Sequence, residues 1–248
     1  MRGLISAIRT LTIVRIPGKD SANMSQALNF FPLAGLLVGV VVAGTGKALG
    51  CVVEWSWLGA VGCLVASSWI TGGMHLDGVA DVFDSMGAVT KERRLEIMKD
   101  SRVGSFGAIA LVLLLMIKLV AMREIVDGGA FTMLVVPFVV SRAVTVEMMF
   151  LLPYARKEGG MGAAFFTGAT KRHLAVALVA AALLCAGLSG WHGVGILGVA
   201  AVGVLPLLLW VYRTFDGGTG DTVGLVSEIV EATCLLWIAA GHVGGAAL

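Results

Sequence analysis

RRLEIMKDSRVGSFGAIALVLLLMIKLVAM, residues 93–122, passes from a basic, polar run into eighteen residues that carry one charge, Lys118. An apolar stretch of that length is close to the ~20 residues a helix needs to cross hydrocarbon. Six further stretches read the same way, at about 32–50, 57–71, 131–152, 173–190, 194–211 and 224–246, and the one quoted occupies 105–122. The expectation is an all-α, polytopic bundle of about seven transmembrane helices, forming one membrane-embedded domain over residues 1–248.

Composition agrees. The 248 residues are 58% hydrophobic and 14% charged, against about 25% charged in a soluble domain. The 34 glycines suit close approach of membrane helices. Cys51, Cys63, Cys185 and Cys234 are scattered in or beside apolar segments without a CxxC pair, and read as small buried hydrophobes. The opening MRGLISAIRTLTIVRIP interleaves Arg2, Arg9 and Arg15 with apolar residues. It has no uninterrupted apolar core, so residues 1–31 read as a cytoplasmic segment with an amphipathic surface helix and not as a secretory signal.

Basic residues set the orientation. With the N-terminus inside, segments 1–31, 72–104, 153–172 and 212–223 hold fourteen of the eighteen Lys and Arg, and the outer loops keep only Arg123. The positive-inside rule then makes these four segments cytoplasmic. Trp55, Trp57 and Trp191 fall at the outer interface, with Trp210 and Tyr212 at the inner one. Every long polar, Gly-rich loop faces the cytoplasm, and any active site faces the same way.

Upstream of the opening stretch lies the densest polar insert, TGGMHLDGVADVFDSMGAVTKERRLEIMKDSRVGSFG, residues 71–107. Asp77, Asp81 and Asp84 are spaced i, i+4, i+7, so a helix carries all three on one face. Three carboxylates this close repel unless a cation lies between them. Mg²⁺ takes carboxylate oxygens and partners with phosphates, so the spacing points to metal-assisted phosphate chemistry. His75 is open between a general base, a phosphate donor and a packed interfacial residue.

Three other constellations carry charge. Arg93, Arg94, Lys99, Asp100, Ser101, Arg102 and Gly104 precede an apolar helix; backbone amides at its start, with Arg102 nearby, suit an anion, though a basic run can also bind lipid headgroups. YARKEGGMG, 154–162, sets Arg156 and Lys157 before glycines that let backbone approach a ligand. GGTGDTVGLVSEIVE, 217–231, offers Gly218, Thr219 and Gly220, then Asp221 at a helix mouth as an N-cap, a phosphate-loop residue or a metal ligand. Glu228 and Glu231 follow inside an apolar helix, where carboxylates are costly and point to function. Arg142, with Ser141 and Glu147 in the fourth span, is expected to pair with a carboxylate of a neighbouring helix.

Together these residues resemble the cobalamin synthase family, the adenosylcobinamide-GDP ribazoletransferases. The resemblance rests on GGMHLDGVADVFD at 72–84, RRLEIMKDSRVGSFGAIALVLLLMIK at 93–118, FPLAGLLVG at 31–39, SR at 141–142, and GGTGDTVG with its following glutamates. It runs through nearly the whole chain. Two positions depart: Ser85 stands where the family prefers Gly, and Asp216 where it tends to an apolar residue. The resemblance implies a multi-pass, Mg²⁺-dependent enzyme of the bacterial inner membrane, joining adenosylcobinamide-GDP to α-ribazole or α-ribazole 5′-phosphate with release of GMP. On this reading Asp77, Asp81, Asp84 and His75 are catalytic, the first three with Asp221 hold the metal, and the basic and Gly-rich residues above with Arg142 bind substrate. The implied partners are these substrates and the bilayer, not nucleic acid; a homo-oligomer stays open.

Two other readings fit less of the chain. A CDP-alcohol phosphotransferase uses similar chemistry, but its pattern has Ala-Arg after the early Asp-Gly, and here Ala80 is followed by Asp81. A cation transporter relaying through Glu147, Glu228 and Glu231 leaves the polar insert unexplained.

Overall fold

The computed structural model describes residues 1–53, 55–160 and 162–243, the side chains of 51–53, 242 and 243 apart. The end of the last expected span, 244–246, and the Cys51 side chain lie outside the described residues. Among those residues the chain is all-helical: α1 Arg2–Leu11, a 3-10 turn Met24–Phe30, α2 Phe31–Val53, α3 Ser56–Ile70, α4 Met74–Ser85, α5 Lys91–Ile97, α6 Ser105–Asp127, α7 Val136–Leu151, α8 Ala163–Gly168, α9 Lys171–Gly203, α10 Leu205–Phe215 and α11 Gly220–Val243. The one β feature is an isolated parallel bridge between Tyr154 and Gly218.

Among the described residues four stretches are long and apolar enough to cross a membrane: Met24–Gly50, Ser105–Asp127, Lys171–Phe215 and Gly220–Gly241. The pair α3 and α4, bent by 85°, adds a fifth if the two count as one span. The sequence reading expected seven. One difference is α7, the fourth expected span, which has 16 residues and is nearly all buried. Sheathed by other helices, it is shorter than the ~20 residues of a full crossing.

The other difference is the merging of the fifth and sixth expected spans into one helical stretch. Ser189 and Gly190 depart from helical geometry there, with Gly190 at φ 61°. A Cβ on Gly193 would stand 2.7 Å from the Cys185 carbonyl oxygen, although eight residues of straight helix span about 12 Å. The chain therefore folds back on itself at this glycine. Pro206 lies in the first turn of α10, where its missing N–H is tolerated.

Close helix approach depends on missing side chains. A Cβ on Gly59 of α3 would meet the Gly46 carbonyl oxygen of α2 at 2.9 Å, and one on Gly39 would meet the backbone of Val135, just before α7, at 2.8 Å. With no hydrophobic drive between helices in lipid, such contacts supply the packing attraction. Around them α6 and α9 turn Ile109, Val112, Leu113, Met116, Val179 and Leu183 outward, as a lipid-facing surface requires. The free cysteines Cys63, Cys185 and Cys234 are buried, as read.

The four segments expected on one side of the membrane meet at one end of the bundle. The Ile13 amide, just after α1, donates to the Ile70 carbonyl at the end of α3 at 2.9 Å. Lys91 of α5 pairs with Asp216 after α10. Lys99 bonds Glu158 at 2.5 Å, and Arg156 reaches Asp221 at 2.6 Å. The amphipathic α1 packs its face of Gly3, Ser6, Ala7, Ile8 and Leu11 into the protein, and Arg9 pairs with Asp20 at 2.8 Å.

Candidate active site

Gly72 and Gly73, at φ 64° and 69°, turn the chain from α3 into α4 in a conformation that a Cβ disfavours. α4 therefore leaves the direction of α3 and lies across the beginnings of α6 and α11. Two contacts register it on α11. A Cβ on Gly78 would stand 2.5 Å from the Asp221 carbonyl oxygen, and one on Gly224 would stand 2.9 Å from that of His75. This backbone-to-backbone approach brings Asp221 beside the Asp77 and Asp81 face of α4.

The carboxylates feel one another. The Asp81 carboxyl is pushed up to about 7, first by burial, then by the charges of Asp77 and Asp221, with Arg156 opposing. Asp221 is held from two sides. Arg156 Nη2 donates to its Oδ2 at 2.6 Å, and Thr219 Oγ1 donates to the same oxygen at 3.3 Å. Thr219 and Thr222 also cap the start of α11, each hydroxyl accepting the other residue's amide at 2.7 and 3.2 Å. Arg156 is carried by a loop pinned to the α10–α11 corner: the Gly218 amide donates to Pro153 at 2.8 Å, and the Ala155 amide to Gly218 at 2.9 Å. Arg156 Nε is buried and makes no hydrogen bond among the described residues.

Asp84 faces elsewhere. Its Oδ2 accepts the Gly104 amide at 2.7 Å, and its Oδ1 the Gly107 amide at 2.8 Å. It caps α6 from a different helix. The amides expected to bind an anion at that corner are thus already occupied by a carboxylate, which favours the positive end of the helix for the same reason a phosphate does.

The remaining substrate candidates divide. Arg94 is structural in its contacts, donating to Ala88 O at 3.0 Å and Thr214 O at 3.4 Å. Arg93 pairs with Glu96 at 2.9 Å on an exposed helix face. Asp100 and Arg102 form an exposed bidentate pair, whose hydrogen bonds hold the Asp100 carboxyl down at about 2. Ser101 and Gly220 are exposed, while Gly218 and Thr219 are buried. Of the basic groups at this end, Lys99 pairs with Glu158, Arg102 with Asp100 and Arg156 with Asp221.

Arg142 lies inside the bundle, 1% exposed. It donates to Glu231 at 2.8 Å and to Ser141 at 3.0 Å, contacts Ser227, and sits 3.3 Å from His75 Nδ1. The expected pairing with a neighbouring helix's carboxylate is therefore present. Lys118 joins the network with bonds to Glu228 at 2.7 Å and Glu231 at 2.8 Å. Two cations and two anions balance. Because a guanidinium can only donate, His75 Nδ1 accepts, which leaves the ring neutral with its proton on Nε2. His75 is buried and serves as the joint between this network and the carboxylate face. The sequence reading placed Lys118 in a span without a partner; only its charge at mid-membrane depth signalled it.

The oxygen donors Asp77, Asp81 and Asp221 suit a hard divalent cation in kind. As placed, no three His, Cys, Asp or Glu side chains among the described residues stand close enough to hold one. The positive charge that meets this set is the Arg156 guanidinium.

Fold and site together define a helical protein with several helices apolar enough to cross a membrane, whose carboxylates and basic groups gather at one end of the bundle. The cobalamin-5-phosphate synthase family pattern matches residues 3–239. The adenosylcobinamide-GDP ribazoletransferase of Chlorobium phaeobacteroides (strain BS1) is 40% identical over 243 residues, covering 96% of each chain. Those of Chlorobium phaeovibrioides (strain DSM 265 / 1930) and Chlorobaculum parvum (strain DSM 263 / NCIMB 8327) are each 38% identical, over 97% of both chains and over 93% and 92% respectively. No solved structure matches. This chain belongs to the cobalamin-5-phosphate synthase family.

Proposed function

We propose that this protein transfers the adenosylcobinamide phosphate group from adenosylcobinamide-GDP to α-ribazole or α-ribazole 5′-phosphate. The products are adenosylcobalamin, or its 5′-phosphate, and GMP. The observation that carries the reading is the match through nearly the full length to relatives of that name, joined to the carboxylate cluster at the open end.

In this reaction a ribose hydroxyl of the acceptor attacks the phosphorus attached to the cobinamide arm. The bond from that phosphorus to the bridging oxygen breaks, and GMP leaves with the electron pair. The hydroxyl proton needs an acceptor, and the carboxylates of α4 are the bases at hand. Arg156, Lys99 and Arg102 offset the charge of the diphosphate, and the exposed Gly220, where a Cβ would meet nothing within 4 Å, leaves room for it at the mouth of α11. Holding the two substrates in line supplies most of the acceleration. Asp77, Asp81 and Asp221 are the residues that would hold Mg²⁺, while Asp84 is engaged by the Gly104 and Gly107 amides. When bound, the ion neutralises charge on the diphosphate and on the departing phosphate.

The proposed setting is the bacterial inner membrane, with the N-terminus and the site facing the cytoplasm. Seven crossings follow if α2, α3, α6, α7, the two legs of α9 with α10, and α11 each count once. The fold-back at Gly190 and the clustering of the basic loops support that count.

The test is a GMP-release assay on purified protein given adenosylcobinamide-GDP, with and without α-ribazole or its 5′-phosphate. The expected result is acceptor-dependent GMP in equal amount to the completed corrinoid, abolished by EDTA and restored by Mg²⁺. Consumption of a CDP-linked lipid with an alcohol, the corrinoid untouched, is the outcome that overturns it.

A further inference from the structure

We infer that His75 and Arg142 are positioning residues: their contact fixes the rotation of α4, and so the aim of Asp77 and Asp81, and neither side chain touches substrate. The kinetic part of the inference rests on the transfer reaction proposed above; the structural part stands apart from it.

The first observation is where α4 is held. Among the described residues two of its side chains bond to other helices. His75 Nδ1, in the first turn, lies 3.3 Å from Arg142 Nη2 of α7. Asp84, in the last turn, accepts the Gly104 and Gly107 amides at the start of α6. Asp77 and Asp81 lie between these two clamps. Gly73, the N-cap of α4, has no side chain to bond the first turn. The Gly78 and Gly224 contacts set how closely α4 approaches α11. A contact made through missing side chains sets a distance, whereas a hydrogen bond has a direction and sets a rotation.

The second observation is what holds Arg142. Its Nη1 donates to Glu231 Oε1 at 2.8 Å and to Ser141 at 3.0 Å, and contacts Ser227. Glu231 Oε2 accepts from Lys118 of α6 at 2.8 Å, and Glu228 accepts from the same ammonium at 2.7 Å. The guanidinium is thus locked by α6, α7 and α11 before it meets His75, and a satisfied buried network of this kind is rigid. The third observation is burial. His75 is 2% exposed and Arg142 1%, so neither side chain offers surface to a ligand.

Geometry supplies the magnitude. A side-chain end stands roughly 5–6 Å from its helix axis, so a twist of about 10° moves it by about 1 Å. A misplacement of that size costs on the order of 10²-fold in rate.

The experiment compares wild type, Arg142→Lys, His75→Leu and His75→Asn, purified in detergent. Arg142→Lys keeps the ion pair with Glu231 but has no planar fork to reach His75 as well. His75→Asn keeps an oxygen acceptor near the place of Nδ1, and His75→Leu has none. In Arg142→Lys and His75→Leu, kcat for GMP release should fall on the order of 10²-fold with KM for adenosylcobinamide-GDP unchanged. His75→Asn should recover about tenfold of that loss. A merely structural pair would lower yield and melting temperature and leave kcat of the folded protein alone. Spin labels on Phe83→Cys of α4 and Leu236→Cys of α11, both exposed, in a Cys51→Ala background, read the distance between the two helices by pulsed EPR. Its distribution should broaden in Arg142→Lys and His75→Leu and narrow again in His75→Asn. Distributions unaltered in all three variants overturn the inference. So does a His75→Asn protein as inactive as His75→Leu, which would make the ring a catalytic group. Should Arg142→Lys not fold, the two His75 variants decide by themselves, since Lys118, Arg142, Glu228 and Glu231 keep their pairings in both. The label distances need no turnover. Absence of GMP release from the wild type would therefore sink the proposed reaction and leave the positioning of α4 to be decided by the spin labels.

Discussion

Asp84 holds Gly104: its carboxylate accepts that amide at 2.7 Å and the Gly107 amide at 2.8 Å. One acid of the α4 face is therefore bonded to the backbone of α6, while Asp77 and Asp81 face the Asp221 side.

That division separates two substitutions that look alike in sequence. Asp84→Asn keeps one acceptor and sets an NH₂ against a backbone amide, so it should cost about 1–2 kcal/mol of stability. Asp77→Asn removes a repulsive charge, and its melting temperature should hold or rise while turnover collapses. Thermal unfolding in detergent, run beside the GMP assay, checks both. An unchanged melting temperature in Asp84→Asn would mean that the cap contributes nothing.

Asp81 gives a pH dependence. Its carboxyl stands at about 7 in the folded protein against 3.8 ordinarily, chiefly from burial and then from Asp77 and Asp221. The folded state keeps a proton that the unfolded chain loses. Stability should thus be greatest at low pH and fall as pH rises from about 4 through 7, levelling above that. Melting curves in EDTA from pH 5 to 8 should show this fall, and Asp81→Asn should flatten it. Identical slopes in both proteins would remove Asp81 as the source.

The buried network predicts a rescue. Lys118→Met leaves Glu228 without its 2.7 Å partner, and breaking a buried pair from one side costs about 3–5 kcal/mol. Lys118→Met with Glu228→Gln removes one charge of each sign and leaves Arg142 with Glu231. The double variant should be recovered better than the single one in yield and melting temperature. A double variant worse than either single change would show that the charges act independently.

Topology has a labelling test. Val89 is 92% exposed, between α4 and α5, and His192 is exposed just after the fold-back of α9. In a Cys51→Ala background, Val89→Cys should react with an impermeant maleimide only after cells are opened. His192→Cys should react in intact cells. The reverse pattern inverts the orientation.

Much of this molecule is legible in its order of residues. Apolar runs of ~20 residues mark crossings because lipid offers backbone groups no partner outside a helix. The spacing of Asp77, Asp81 and Asp84 is local, so a 3.6-residue period reveals the shared face. The span count was less legible. Whether Gly190 continues a helix or reverses it, and whether a 16-residue segment such as α7 is sheathed by neighbours, depends on packing that no window of hydropathy contains.

The sequence by itself determined the bundle, its charge asymmetry and the acidic face, since these follow from composition and periodicity over a few turns. Tertiary structure decided which acid meets which cation. Arg156 and Asp221 are 65 residues apart, Lys118 and Glu228 110, and no spacing rule reaches so far. It gave Asp84 to the amides of α6, turned Arg142 inward to Glu231 and His75, and set Arg156 among the carboxylates. The physical reason is that long-range packing sets these neighbours: Gly78 and Gly224 let α4 and α11 touch backbone to backbone, which brings Asp77 and Asp81 beside Asp221.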